Sequence, residues 1–390
     1  MSGDDGKPAY QHSLSPSAWN RFETCPRQYW LSRQRLPRKT GMAAALGTAV
    51  HASIEDLVAI DMNGYESTQS GWLPKIMATV LKERWEEEKG NFLATPRHPD
   101  WKEDKYSNAQ TQQRGGVELL LRHAGASGLS PNSVTAALWK RVQALVIACE
   151  GELRTKDGRI MGRLDLLLAD VDEENNIIGW RVADLKTGRV PEDELYDTVR
   201  RQLLLYRDIL LANNPDAPPT VAVGWYTNGS KEIEAHGDSV IDQAYLAWEA
   251  TQIDETPLEP TPGDDSCGGF CDWKAWCPHW WNWRNESGKL HRGDFVDAVV
   301  LIHSYEESGA AVIELCVPAD SHGRPMPTGH QAAAVFAGNS KKAMDKLTED
   351  GYQGALFIGG AMAKGNTWRI GGWCDVLPWT PIPDTGRIDH

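Results

Sequence analysis

Two aspartates and a lysine fall where an apolar strand would not carry charge without a reason. Asp165 lies in a stretch expected to be a strand over 160–169, and Asp184 in a second over 177–185, with Lys186 just beyond and a polar turn at 172–176 between them. A lone carboxylate is expensive to bury unless it is paired or holds a metal. The residues support two readings at this point. Asp165 and Asp184 form a hard-cation site beside Lys186, or an Asp–Lys ion pair fixes the register of two strands. For the first reading, carboxylate oxygens suit Mg²⁺ or Mn²⁺.

Other residues could complete such a site. His51 and Glu55 stand four apart on one face of an expected helix, where a histidine is either a ligand or a hydrogen-bonded core residue. Glu150 and Glu152 either face the acids or alternate to solvent. Gln202 and Tyr206 project from one helix face, a turn apart. Cys267, Cys271 and Cys277, set among tryptophans, have the density of a metal centre. Three thiolates need a fourth ligand, for which His279 and Cys25 are candidates, and a closed zinc site stays open. Cys149 reads as a small core residue. Arg27, Arg33, Arg35, Arg38 and Lys39, interleaved with Tyr29 and Trp30 and free of acids, form either a nucleic-acid footprint or a solvated helix end.

The elements that carry these residues can be read in order. A helix is expected from Ser15-Pro16-Ser17 through Trp19, Phe22 and Trp30, and another over 43–61. Helices follow over 72–89 and 110–126, a strand over 142–153, then the acid-bearing hairpin. A helix over 192–212, a hairpin about Asn228-Gly229 and a helix over 239–252 complete an α/β pattern, a sheet with helices against it. A proline-rich linker leads to the cysteines. Beyond residue 292 the order is strand, strand, strand, helix, strand, strand, the last over 366–377. That is the order of a small five-stranded β-barrel of the OB type, in which Phe357, Trp368 and Trp373 are either stacking platforms or core. The expected divisions are a disordered start at 1–13, a domain over 14–285 containing the cysteine segment 267–277, and a barrel over 292–390.

Composition bounds the class. The 390 residues are 41% hydrophobic and 24% charged, and the formal charge of −14 argues against a chain basic all over. No apolar run reaches membrane-spanning length and the polar start is no signal peptide, so a cytoplasmic protein without a membrane partner is expected. In a reducing compartment seven cysteines favour metal ligation over disulfides. There is no phosphate-binding G-x-x-x-x-G-K-[ST] motif, hence no sign of an ATP-driven motor.

In order, LSPSAWNRFETCPRQYWL, GTAVHASIEDL, GRLDLLL, ADLKTG, QLLLY and the cysteine cluster make the chain resemble RecB-like members of the PD-(D/E)XK nuclease superfamily over 14–277. The likeness is to its iron–sulfur branch, which includes the CRISPR-associated exonucleases of the fourth Cas family and the nuclease domain of AddB. The resemblance implies a restriction-endonuclease-like core, a mixed sheet flanked by helices. It implies that His51, Asp165, Asp184 and the Leu185 carbonyl hold Mg²⁺ or Mn²⁺, that Lys186 is catalytic, and that Gln202 and Tyr206 lie near DNA. It further implies a 4Fe–4S cluster on Cys25, Cys267, Cys271 and Cys277. That cluster is expected to be structural, since it closes a loop of some 240 residues between Cys25 and Cys267. Three residues separate Cys267 from Cys271 where two are more usual, which keeps zinc open. The barrel lies outside the resemblance.

The implied activity is a metal-dependent DNA exonuclease acting on single-stranded ends in recombination, repair, or phage or CRISPR DNA processing, with Arg27, Arg33 and Arg35 on the DNA. Glu152 is assigned a role through the metal's water shell. The alternatives are a catalytically silent module that guides DNA to a helicase, recombinase or integrase, and a zinc-stabilised interaction protein.

Overall fold

The computed structural model describes residues 12–252, 257–268 and 271–384. The first helical stretch is two helices, α1 (Pro16–Thr24) and α2 (Pro26–Ser32), not the single one expected. Pro26 forces the break: the residue before a proline is driven out of the α region, and Cys25 is extended at φ −166°, ψ 115°. Four helices follow: α3 (Met42–Val58), α4 (Leu73–Ala94), α5 (Tyr106–His123) and α6 (Ala136–Leu145). The last occupies the start of the segment expected to be a strand over 142–153. Thr135 caps α6 by accepting from the Leu138 N–H, and apolar Trp139, Val142 and Leu145 bury its inner face.

The sheet begins with β1 (Val146–Arg154), β2 (Met161–Val171) and β3 (Ile177–Lys186). Helix α7 (Asp197–Asn213) then crosses to β4 (Thr220–Tyr226), which turns back into β5 (Lys231–Glu234), and α8 (Ile241–Ala250) closes this part of the chain. The strand order is β1-β2-β3-β4-β5, with β3 and β4 parallel and the other neighbours antiparallel. This is the expected mixed sheet flanked by helices. A parallel pair needs a crossover, and α7 is that crossover.

After α9 (Asp264–Cys267) and α10 (Pro278–Glu286) come β6 (Val296–Tyr305), β7 (Ala310–Pro318), β8 (Pro325–Phe336), α11 (Asn339–Glu349), β9 (Leu356–Lys364), β10 (Thr367–Ile370) and β11 (Asp375–Pro378). The expected last strand is two strands, split at Gly371-Gly372, where Asp100 donates its N–H to the Gly372 carbonyl. A Cβ on Gly372 would lie 1.8 Å from the Asp100 carboxylate, so only glycine allows that approach. Strands β6 to β10 close into a barrel: β10 pairs with β8 on one side, in parallel, and with β9 on the other, while β9 returns to β6.

The chain divides into two compact units. One comprises the described residues up to Asn20 with 43–91 and 102–252, and so the five-stranded sheet. The other comprises 21–42, 92–101 and the described residues from 257 on. The cysteine segment and α2 therefore pack in the unit that contains the barrel. There Trp280 and Trp281 of α10 meet Trp379 edge-on, and Trp280 meets Phe357. Among the described residues no helix is long and apolar enough to cross a membrane.

Candidate active site

The pairing of Leu166 with Ala183 sets Asp165 of β2 opposite Asp184 of β3, so both carboxylates leave the sheet on one face. Asp165 Oδ2 accepts the Leu185 N–H at 2.6 Å and lies 3.5 Å from His51 Nδ1. Asp184 is 3% exposed. Its Oδ1 accepts from Gln202 Nε2 at 3.1 Å. Its Oδ2 lies 2.5 Å from the Lys186 ammonium, yet no donor is aligned on it, leaving a buried carboxylate oxygen with only an ionic neighbour.

Helix α7 supplies the opposite wall. Lys186 Nζ donates to Gln202 Oε1 at 3.0 Å, and Gln202 Nε2 is also 2.8 Å from the Tyr206 hydroxyl. The amide of Gln202 thus reads both ends of the Asp184–Lys186 pair, with its orientation held by Tyr206. The Tyr206 ring in turn lies over Gly162 of β2, where a Cβ would come within 2.4 Å of it.

Burial, opposed by Lys186 and reinforced by the charge of Asp165, pushes Asp184 up to about 6. Burial pulls His51 down, but its hydrogen bond to Asp165 and the charges of Asp165 and Asp184 outweigh it, so its pKa is raised.

A second pair of acids joins this face. Glu55 is pushed up to about 8 by burial, by a hydrogen bond to Glu150 and by the charges of Glu150 and Asp165. Glu150 pairs with Arg163. Glu152 goes elsewhere: its side chain is 62% exposed and pairs with Arg154. Strand alternation would give 150 and 152 the same face. Glu150, however, has φ +53°, a left-handed conformation that costs a non-glycine residue about 1 kcal/mol or more. That twist re-aims it toward Glu55. The i,i+4 spacing of His51 and Glu55 was a readable signal for Glu55; nothing in the sequence marks the backbone twist.

A model of the PD-(D/E)XK nuclease superfamily matches residues 13–278. The chain belongs to that superfamily. Among curated proteins none matches it. PD-(D/E)XK nucleases typically use Mg²⁺ or Mn²⁺, and Asp165, Asp184 and His51 are donors of the right chemistry for such an ion. The burial of the Asp184 carboxylate, its Oδ2 met by the Lys186 ammonium alone, is the observation of fit. The Leu185 peptide, expected to contribute its carbonyl, also engages Asp165 through its N–H. Among the described residues no three His, Cys, Asp or Glu side chains stand at metal-ligating separations.

The other residues singled out in this nuclease divide sharply. Cys25, Cys267 and Cys277 are buried and Cys271 half-buried, all within one unit. Cys267 feels the charge of Cys25, Cys271 feels those of Cys277 and Cys267, and Cys277 feels those of Arg27 and Cys267. Burial raises the thiols of Cys267 and Cys271 and pushes Cys277 up to about 12. Such thiols stay protonated unless a metal displaces the proton. His279 instead pairs with Asp384 at 2.8 Å. Arg27, expected on DNA, is 1% exposed; it donates to the Ile382 carbonyl at 2.6 Å and pairs with Asp384. A guanidinium so enclosed cannot meet a phosphate, and that assignment is corrected. Arg33 and Arg35 are exposed, Arg33 lying over the Tyr29 ring at 5.6 Å. In the barrel Phe357 and Trp368 are core, while Trp373 is 38% exposed beneath Arg369.

Proposed function

We propose that the chain is a Mg²⁺- or Mn²⁺-dependent deoxyribonuclease that acts as an exonuclease on single-stranded ends, with His51, Asp165, Asp184 and the Leu185 carbonyl as its metal shell. The observation that carries the reading is the buried Asp184 carboxylate, its Oδ2 held by the Lys186 ammonium alone, on a face shared with Asp165 and His51. The ion, when bound, supplies Lewis-acid polarisation of the phosphate and a water of lowered pKa.

The chain's own residues do the rest. Asp184, its pKa held near 6 by burial, would be favoured in its ionised form by a bound cation. Lys186, beside Asp184, is the group that would orient the attacking water or stabilise charge on the phosphorane. Gln202 Oε1 keeps that ammonium on the site face, and Tyr206 fixes the amide. Glu55 and Glu150, rather than Glu152, are the acids that join Asp165 on this face, and they share a proton there.

The four cysteines are assigned a structural 4Fe–4S cluster, with zinc as the alternative occupant. The burial of Cys25, Cys267 and Cys277 and the raised pKa values of Cys267, Cys271 and Cys277 support thiols whose protons a metal would displace. The barrel is assigned to the OB type, on the support of its ring order β6-β7-β8-β10-β9 with a helix between the third and fourth strands, and to holding the single strand. A helicase, recombinase or integrase is the class of partner that would present such ends.

The test is cleavage of DNA labelled separately at each end, with Mg²⁺ or Mn²⁺ and with EDTA, alongside Asp184→Asn. Metal-dependent release of mononucleotides from one end, absent in the variant, is expected. Cleavage equal in the variant, or equal in EDTA, overturns the reading.

A further inference from the structure

Strands β8, β9 and β10 contain no aspartate or glutamate, in a chain whose formal charge is −14. Alternate side chains of these strands enter the barrel core: Ala334 and Phe336 of β8, Trp368 and Ile370 of β10, and Ala361 of β9. Val335, Arg369 and Met362 therefore point outward and are exposed. The register sets them side by side, because Arg369 of the central strand lies opposite Val335 on one edge and Met362 on the other. Two residues along, Thr367 lies between Ala333 and Lys364 in the same way, and all three are exposed.

An aromatic ring borders this face. Phe295, just before β6, is 62% exposed, and the next residue, Val296, pairs with Ala361 beside Met362. Two acids mark the margin: Asp294, which is exposed, and Asp297, which the Lys274 ammonium and the Gly360 N–H hold. Among the described residues neither Lys364 nor Arg369 pairs with an acid. The Arg369 guanidinium is held instead by the Trp373 ring, 5.3 Å from its centroid, and the indole N–H is fixed on the Gly360 carbonyl at 2.9 Å.

Two kinds of macromolecule suit an exposed sheet face, a protein and a nucleic-acid strand. A peptide cannot join β10 as a further strand, since β10 is paired on both sides. Lysine is depleted where proteins pack on proteins, and Lys364 stands within the face. Unpaired cations beside an exposed aromatic ring, with no acid in the three strands, complement a run of phosphates and flat bases.

We propose that the outer face of β8, β10 and β9 binds a single strand of nucleic acid, with Lys364 and Arg369 meeting phosphates and Phe295 serving as platform for a base. The choice of a single strand rests on the nuclease reading above; the face itself lies beyond the residues that match the superfamily.

The test measures binding of a short fluorescent single strand to the full-length chain in EDTA, at several salt concentrations. Lys364→Gln and Arg369→Gln alter exposed side chains. Each should weaken binding and reduce the slope of log affinity against log salt by about 0.7, the share of one phosphate contact on a single strand. Phe295→Ser should weaken binding about tenfold, the worth of one stacked base, and leave the slope as it is. Lys346→Gln, at an exposed lysine of α11, should change neither. Wild-type affinity and slope in the first three variants overturn the proposal, as does an equal fall in slope in Lys346→Gln. A wild type that sediments as a dimer and becomes monomeric in Phe295→Ser, with strand binding intact, gives the face to a second copy instead. Metal-dependent cleavage by the same wild-type preparation, with variant binding unchanged, removes this proposal alone. A wild type that neither cleaves nor binds the strand removes the nuclease reading with it.

Discussion

Asp184 concentrates the chemistry of the molecule at one carboxylate. Its Oδ1 is fixed by Gln202, its Oδ2 has an ammonium but no aligned donor, and burial holds its pKa near 6. Asp184→Asn and Lys186→Gln should each lower turnover about 10²-fold or more while DNA affinity in EDTA changes little, since each acts on charge that develops in the reaction. Single-turnover cleavage and anisotropy on the same preparations check this. Glu55 permits a prediction on pH. Its folded pKa of about 8 exceeds that of an unfolded glutamate, so the folded state holds the proton more tightly. The resulting stabilisation is complete below about pH 4.5 and is lost as pH rises toward 8. In EDTA, the thermal midpoint of the wild type should therefore fall between pH 5 and 8 (roughly the span of that loss) more steeply than that of Glu55→Gln. Parallel profiles would show that the Glu55–Glu150 contact does not hold a proton.

At the scale of elements, position comes from breaks and close approaches. Pro26 ends α1 and starts α2, and the extended residue between them is Cys25, so a proline sets where that thiol sits. Cys25→Ser and Cys277→Ser should each reduce bound iron, and with it broad absorbance near 400 nm (roughly where such clusters absorb), or bound zinc if zinc is the occupant. Metal analysis of the purified variants reads the result; wild-type protein free of both metals would sink the assignment. The crossover helix α7 depends on Gly162, because a methyl group there meets the Tyr206 ring. Gly162→Ala should cost about 1–3 kcal/mol in urea unfolding. It should also lower cleavage, because Tyr206 can no longer hold Gln202 against Asp184.

At the scale of the whole molecule, the barrel is woven into the unit that carries the cysteines. Arg27 ends on Ile382 and Asp384, Arg97 on Asp375, and Asn339 takes Asp100. Trp280, Trp281 and Phe357 share one buried cluster with Cys267 and Cys277. A chain truncated after residue 291 would bare that cluster and leave Arg27 without its carbonyls. It should be less soluble and lose bound metal, both measurable against the full chain. Retention of metal and solubility would show that the barrel is a separable appendage.

Much of this was legible in the sequence. The strands bearing Asp165 and Asp184, the turn between them, the one-turn spacing of Gln202 and Tyr206 and the crowding of the cysteines all depend on residues a few positions apart. Short-range periodicity and composition determine such features before any long-range contact forms. Which of Glu150 and Glu152 meets the site, that Arg27 is enclosed, that Trp368 is core and Trp373 surface, and that Val335, Arg369 and Met362 meet on one outer face were decided only by the tertiary structure. Each depends on a backbone twist or on a partner far along the chain, and packing against distant segments leaves no periodic trace in the residues that undergo it.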